Sequence, residues 1–278
     1  LNDEVTIVSS KTFDVANHYT ISAANTLLAA KSPLASPVFT GNVGVGVTPA
    51  NNATPASGVQ VGATASIGAW ESGSNIITTV ASNSYYNSAY KYITTNTAAL
   101  IRLINGAINF NVAPSGSANA AISWTTAMNI NAAGIVTKPL QPAFCMSVNA
   151  YSGINAAAGV QVVRFGNQNS GGVLFNNGNN FDTTNYRFVA PVSGFYQFNA
   201  NIRIDSASGD YIYLTMTKNG STTAGRDLDS GISSYNNRHV SQVLSLSAND
   251  YVDCNVRTSG DTGISIDGDS YFSGHLIG

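Results

Sequence analysis

Apolar and polar positions alternate with a period of two through much of the second half of the chain. From Tyr196 onward, five apolar residues fall on one face, namely Tyr196, Phe198, Ala200, Ile202 and Ile204, and the intervening Gln197, Asn199, Asn201 and Arg203 fall on the other. Successive side chains of a β-strand point to opposite faces of a sheet. The pattern therefore predicts a strand with one buried face.

The same alternation recurs further along the chain. Ile212, Leu214 and Met216 share one face of a strand that ends at Asn219-Gly220, a pair whose positive backbone angles suit a tight hairpin turn. Two more alternating strands are predicted, one through Val252, Cys254 and Val256 and one through Phe272, Gly274 and Leu276, so that Cys254 is expected to be a small buried residue. About eight such strands without a convincing helix predict an all-β fold and a sandwich or jelly roll.

The segment from 32 to 137 has a different character. Its only charged side chains are Glu71, Lys91 and Arg102, and it is rich in Ser, Thr, Asn, Gly and Pro with short apolar runs. Such residues fit pleated strands and turns and break helices, which predicts a β-rich segment. Upstream, Ser22 is a candidate cap for a short helix over residues 23–31, which Pro33 would end.

These shifts predict three regions. Residues 1–40 form an N-terminal segment with the candidate helix, and residues 41–138 form a β-rich domain. The proline-marked passage from Lys138 to Pro142 precedes a sandwich domain at 139–278. The chain begins with Leu1 rather than Met, so we expect it to be a fragment or a processed product.

Composition points to self-association. Only 9% of the 278 residues are charged, against roughly 25% in ordinary soluble domains, so the chain is expected to cover surface by oligomerising. The formal net charge is -2, so the chain lacks the excess of Lys and Arg that is typical of a nucleic-acid binder. The sequence has no apolar run of the roughly 20 residues that span a bilayer, and residues 1–20 lack a signal-peptide pattern. We expect neither nucleic-acid binding nor membrane insertion.

Catalytic motifs are missing, so we predict that the protein is not an enzyme. His18, His239 and His275 are the only histidines and stand far apart, and no serine lies in a G-x-S-x-G turn. Cys145 and Cys254 lack the spacing of a metal or redox pair. A glycan-cleaving carboxylate pair cannot be dismissed by counting, because the sandwich domain contains several Asp residues.

Three aspartates near the C-terminus are candidate metal ligands. Asp261, Asp267 and Asp269 flank the last predicted hairpin, and oxygen-rich loops suit calcium. Solvated turn aspartates explain the same pattern equally well. No cofactor is predicted apart from this candidate calcium site.

Residues 139–278 resemble the globular head of complement component 1q, which shares its jelly roll with tumour necrosis factor. The matching segments follow in order: 141–144, 163–165, 172–175, 188–198, 218–220, 244–246, 249–252 and 271–277. In the most specific of them, a turn from Pro191 to Gly194 leads into the strand that starts with Phe195 and Tyr196. Asn249 replaces the glycine usual in one late turn, and asparagine tolerates the same left-handed backbone.

Residues 30–138 resemble the shaft of bacteriophage tail fibres. The matching phrases are 32–41, 44–49, 127–130 and 134–136. Before a jelly-roll head, such a shaft implies a phage adhesin in which three chains wind a β-rich stalk that ends in a receptor-binding tip. Intertwined strands satisfy backbone groups and bury apolar faces between chains, so such a stalk needs few charges.

The resemblances imply a homotrimeric fibre tip on the virion that binds a host-surface glycan or outer-membrane protein and joins other tail proteins upstream. The alternatives are a depolymerising tailspike and a non-viral secreted lectin-like trimer. Loop residues able to stack on sugars or to exchange hydrogen bonds are the receptor-binding candidates. They are Tyr151, Asn177, Asn179, Tyr235, Asn236 and Arg238, all expected in turn-rich stretches.

Overall fold

The computed structural model describes residues 39, 41–50, 57–154, 159–166, 172–206, 211–230, 235–259 and 263–278. These residues are all-β, as expected, and contain no helix, so none of them forms a helix able to cross a membrane. The helix proposed over 23–31 lies outside them. They divide into two compact units, one reaching Thr125 and including Ile130–Ile135, the other comprising Thr126–Asn129 and Val136–Gly278.

The first unit is built on one sheet. Its strands are β1 (Val43–Val45), β2 (Ser57–Val61), β3 (Ala65–Ser72), β4 (Asn75–Ser82), β5 (Ser84–Tyr86), β6 (Tyr90–Tyr92), β7 (Asn96–Ile104) and β8 (Ala107–Gly116). Six of them lie side by side in the order β1-β2-β3-β4-β7-β8, and β5 pairs with β6 in a separate hairpin. β1 and β2 are parallel, and the remaining pairs are antiparallel. β9 (Thr125–Ile130) and β10 (Val136–Thr137) follow.

Aromatic rings cover one face of this sheet. Trp70 and Ile77 pack against Tyr86 and Tyr90 of the β5–β6 hairpin, and the rings of Trp70 and Tyr86 stack with centroids 4.8 Å apart. The edge of the Trp124 ring meets Tyr90 with centroids 5.8 Å apart. The small core of the first unit therefore lies between the sheet and the hairpin.

The opposite face of the sheet is apolar too. Five residues in direct register cross it from β2 to β8, and we call them the apolar row: Val59, Ile67, Val80, Ile101 and Phe110. The first four of them are 37% to 52% exposed. An antiparallel sheet with one solvated face normally alternates apolar and polar residues, so the apolar row departs from that rule.

The second unit is a sandwich of two sheets. Its strands are β11 (Ala143–Ser147), β12 (Tyr151–Ile154), β13 (Gln161–Val162), β14 (Val173–Asn177), β15 (Phe181–Asp182), β16 (Arg187–Val189), β17 (Gly194–Ser206), β18 (Tyr211–Lys218), β19 (Thr222–Ser230), β20 (Asn236–Leu246), β21 (Tyr251–Thr258), β22 (Ile264–Ile266) and β23 (Tyr271–Leu276). The front sheet has the order β12-β22-β17-β23-β11-β14, with β20 also paired to β17. The back sheet has the order β15-β16-β21-β18-β19, with β13 beside β21.

The core-facing positions predicted from the sequence are confirmed in β17, β18 and β21, whereas Leu276 at the end of β23 is only partly buried. The five apolar residues of β17 and the three each of β18 and β21 are fully buried in one core, Cys254 among them. The turn after β18 has positive φ at Asn219 and Gly220, and Asn249 has φ of 72°, as expected for a left-handed position.

Phenylalanine rings form the centre of the sandwich. Phe144 is completely buried, and its ring centroid lies 4.9 to 5.0 Å from those of Phe181, Phe188 and Phe272. Gly274 lies beneath these rings, because a Cβ there would be 2.5 Å from a ring carbon of Phe198 and 2.8 Å from one of Phe144. The closing strand therefore needs a residue without a side chain at this position.

The two cysteines are free thiols, and only one of them lies in the core of the sandwich. Cys145 is half-buried, between core-facing Phe144 and Met146 in β11, while Cys254 lies in the core. Burial raises the pKa of both thiols, and that of Cys254 most strongly.

A carboxylate ties the β18–β19 turn to the turn before β21. Asp250 accepts hydrogen bonds from Asn219 Nδ2 at 2.9 Å, Lys218 Nζ at 2.8 Å and the Ser247 backbone N at 2.8 Å. These interactions, the Asn219 bond first, lower the pKa of Asp250 from 3.8 to about 2.

The depressed pKa of Asp250 gives a pH-dependent contribution to stability. The contribution is complete above about pH 4, where the unfolded carboxyl is ionised, and is lost as the pH falls towards 2. We therefore expect Asp250→Asn to destabilise the protein at pH 6 and to have much less effect at pH 2. The check is the urea midpoint of both proteins across this range, and an equal difference at both ends would contradict the prediction.

Candidate receptor-binding surface

Charged side chains gather around Arg203 near the end of β17, in what we call the Arg203 cluster. Arg203 Nη1 donates to Asp269 Oδ2 at 2.5 Å and lies 3.7 Å from Asp267 Oδ1, and Arg203 Nε lies 3.0 Å from Asp205 Oδ1. The ring of Tyr235 lies beneath the guanidinium, 5.4 Å from Arg203 Cζ. One cation thus binds three carboxylates, one from the end of β17 and two from the turn between β22 and β23.

The pKa values in the cluster follow this arrangement. The hydrogen bond to Asp269 is the main cause that raises the pKa of Arg203. A hydrogen bond with Asp267 raises the pKa of Asp205, whereas the backbone N–H of Asp269 lowers the pKa of Asp267. The charged groups of the cluster are therefore mutually hydrogen-bonded, and all but the exposed Asp269 are half-buried.

The predicted calcium ligands lie partly in this cluster. Asp267 and Asp269 are both there, and Asp261 lies outside the described residues. No group of three or more metal-binding side chains occurs in the described part of the chain. Calcium at these carboxylates would have to compete with the Arg203 guanidinium, and it stays a prediction. A melting curve that calcium shifts upward and a chelator restores would support it, and an unchanged curve would remove it.

The structure separates the receptor-binding candidates into two groups. Asn177 pairs with Ala143 at the end where residues 138–142 enter the domain, while Asn236 pairs with Ile204 at the far end of β17. The pairing of β14 with β11, of β11 with β23 and of β23 with β17 places Asn177 in register with Gln197. Gln197 lies about 23 Å from Ile204 along β17, at roughly 3.3 Å per residue. The two groups therefore cannot contact one small ligand.

The first group is held by backbone-directed amides. Asn177 Nδ2 donates to the Gln141 carbonyl at 2.7 Å, and Asn179 occupies the turn with a positive φ of 55°. Both residues therefore have structural roles near the connection between β14 and β15, which crosses from the front sheet to the back sheet.

The second group lies beside the Arg203 cluster. Tyr235 is 69% exposed and has a positive φ of 64°, and the backbone of Tyr151 pairs with Ile266, which also pairs with Ile204. Arg238 forms ion pairs with Asp229 at 3.1 Å and Asp227 at 3.7 Å. This end of the domain combines an exposed ring with several charged groups.

The expected placement in turns is wrong for four of the six candidates. Tyr151 lies in β12, Asn177 in β14, and Asn236 and Arg238 in β20. Asn236 and Arg238 continue the long hydrogen-bonded ladder with β17, so tertiary pairing overrides the turn preference of asparagine. Sequence reasoning also missed Arg203 and Asp205, because nothing local marks them as the centre of a cluster.

Comparisons with known proteins identify the sandwich. Residues 143–277 match the family model of the C1q domain. The globular domain of zebrafish complement 1qA is 20% identical, with a TM-score of 0.35, and covers 50% of this chain and 98% of its own. Murine APRIL at pH 8.5 is 12% identical, with a TM-score of 0.38, and covers 49% and 99%. No curated protein matches the chain. Residues 143–277 therefore match the C1q domain family, and they fold as an all-β jelly roll.

Proposed function

We propose that this protein is the tip of a bacteriophage tail fibre, a homotrimer that binds a host-surface receptor without catalysis. C1q/TNF-like domains are typically non-enzymatic, ligand-binding, extracellular and trimeric. The observation that carries the proposal is the joining of such a domain to a sheet whose second face is apolar and exposed.

The apolar row supports the trimeric stalk. Large exposed apolar patches on soluble proteins mark interaction surfaces. Val59, Ile67 and Val80 lie in direct register on adjacent strands, so their side chains form one continuous strip that flat packing against another sheet would bury. Copies of the same chain supply the partner for this face in the proposal.

Adsorption would work through several weak contacts. Three identical heads on one stalk raise the effective concentration at the cell surface, so that modest single-site affinities hold a virion. The exposed Tyr235 and the Arg203 cluster supply ring and hydrogen-bonding groups at the end of the head opposite residues 138–142.

The test is binding of the fluorescently labelled full chain to a panel of bacterial strains, with its mass measured by light scattering. We expect saturable binding to a subset of strains and a mass three times the chain mass of 28.8 kDa. Release of reducing sugar from the bound cells would favour the depolymerising tailspike. Binding to no bacterial strain would favour the non-viral secreted trimer.

A further inference from the structure

The outward face of the back sheet contains a groove that the candidate receptor residues do not line. It has a volume of about 370 Å³, within the range of ligand-binding clefts. One row of four residues crosses it in direct register, from Val162 on β13 through Asn255 and Thr215 to Arg226 on β19. The hairpin turn at Gly220 and Ser221 also borders it.

Four polar side chains on the two central strands form the floor of this back-sheet groove. Thr215, Thr217, Asp253 and Asn255 are 4% to 7% exposed. They face away from the core, because their neighbours Leu214, Met216, Val252, Cys254 and Val256 are the core residues of β18 and β21. The floor is therefore a compact polar surface recessed in a sheet.

Asp253 has one satisfied oxygen and one free oxygen. Its Oδ1 accepts hydrogen bonds from the Thr217 hydroxyl and from Asn255 Nδ2, the latter at 3.0 Å. No hydrogen bond reaches its Oδ2 from the residues that the structure describes, and no described cation pairs with it. Arg187, which is opposite Asp253 in register, pairs with Asp182 and lies over the Tyr251 ring instead.

This arrangement is unfavourable for folding alone. Aspartate and asparagine are depleted in strands, and a carboxylate that is largely screened from water without a described cation beside it lowers the stability of the folded state. Residues that break such local rules are expected where function requires them. The position of Asp253 and Asn255 in the middle of the back sheet therefore points to a ligand.

The wall of the groove opposite β13 is formed by an ordered arginine. Arg226 Nε donates to Thr215 Oγ1 at 3.3 Å, and Arg226 Cζ lies 4.6 Å from the centroid of the Tyr213 ring. Within the described residues Arg226 has no acidic partner, so its terminal nitrogens remain available as donors. The facing wall carries the apolar side chains of Val160 and Val162.

We propose that the back-sheet groove binds a saccharide unit of a surface glycan. This inference rests on the proposed function and names the ligand class and its place on the head. Asp253 Oδ2 would accept from a sugar hydroxyl, Arg226 would donate to ring or hydroxyl oxygens, and the two valines would contact the apolar C–H face of the sugar.

The groove chemistry favours a sugar over other ligands. A floor centred on a carboxylate repels phosphate, which disfavours nucleic acid and phospholipid headgroups. Protein hot spots are typically aromatic or arginine anchors in apolar pockets, whereas this floor consists of two hydroxyls, an amide and a carboxylate. Such groups match the dense, neutral hydroxyls of a saccharide.

The test uses Asp253→Asn in the full chain. The new amide keeps an Oδ1 that accepts from Thr217 and Asn255 but replaces the free acceptor with a donor, so the fold is expected to survive and sugar binding to fall. Glu71→Gln is the matched control, because it removes the same charge from an exposed side chain on β3 of the first unit, away from the groove and the candidate receptor residues. Melting curves of both variants verify folding.

Saturation-transfer NMR of the proteins with glucose, galactose, mannose, rhamnose, N-acetylglucosamine and glucuronic acid gives the readout. We expect at least one sugar to give a signal that Asp253→Asn reduces about tenfold and that Glu71→Gln leaves unchanged. Glucuronic acid tests the charge of the floor, because the Asp253 carboxylate should repel its anion and the neutral sugars should give the stronger signals.

Two results would overturn the inference. They are the absence of a signal from all six sugars and a signal that both variants retain. In either case, binding of the full chain to bacteria that survives periodate but is lost after protease treatment would leave the proposed adhesin intact with a protein receptor. Sugar binding without any adsorption to bacteria would instead contradict the proposed function and leave the groove assignment standing.

Discussion

Replacing Phe144 by alanine is expected to lower the free energy of unfolding of the head by about 4 kcal/mol. The ring is fully buried and contacts three other rings with centroid distances of 4.9 to 5.0 Å. Gly274 on the adjacent strand has no side chain that could fill the space left by the ring. The cavity term therefore adds to the lost burial of the ring.

The two tryptophans make this measurement specific. Trp70 and Trp124 both belong to the first unit, so their emission follows that unit, whereas far-UV circular dichroism follows both. In urea we expect the Phe144→Ala variant to show an early dichroism transition with the tryptophan midpoint unchanged. Phe175→Ala, at a position 52% exposed, is the control and should shift the dichroism transition by less than a quarter as much. Equal shifts for both variants would contradict the assigned core.

Charging the apolar row is expected to destabilise the first unit strongly. Val80 and Ile101 are direct cross-strand partners in the middle of the row, and Val80→Lys with Ile101→Lys would place two charges in the interface proposed between copies. Burying each of these side chains stabilises by roughly 1.5 to 3 kcal/mol, and an unpaired buried charge adds a further penalty. We expect the tryptophan-monitored melting temperature to fall by more than about 10 °C.

The control introduces the same charges elsewhere on the same sheet. Ser72→Lys with Ser115→Lys places two lysines at exposed strand ends outside the row and should change the melting temperature by no more than about 2 °C. If the row faces water in the assembled protein, both double variants will behave alike. That result would remove the apolar row as support for a trimeric stalk.

Sequence reasoning predicted the strands whose signal is local. The period of two identified the buried faces of β17, β18 and β21, because alternation depends only on neighbouring residues. It failed for β20, whose opening Asn236, Asn237 and Arg238 carry the composition of a turn and become a strand only through pairing with β17. Local composition contains no information about that partner.

The candidate sites depend on register between distant segments. The Arg203 cluster joins residues near 203, 235 and 267, and the back-sheet groove joins β13, β18, β19 and β21. The apolar row likewise takes one residue from each of five strands, and only their alignment makes them continuous. Long-range pairing of this kind is the part of the structure that a single sequence does not reveal.

The unequal burial of Cys145 and Cys254 equips the head with two natural labelling positions. A small alkylating reagent should modify Cys145 in the native protein and reach Cys254 only when the two sheets part. The rate at which Cys254 is alkylated would therefore measure how fast the two sheets separate, without any engineered probe. Comparing that rate with and without a bound ligand would show whether binding loosens or tightens the packing of the two sheets.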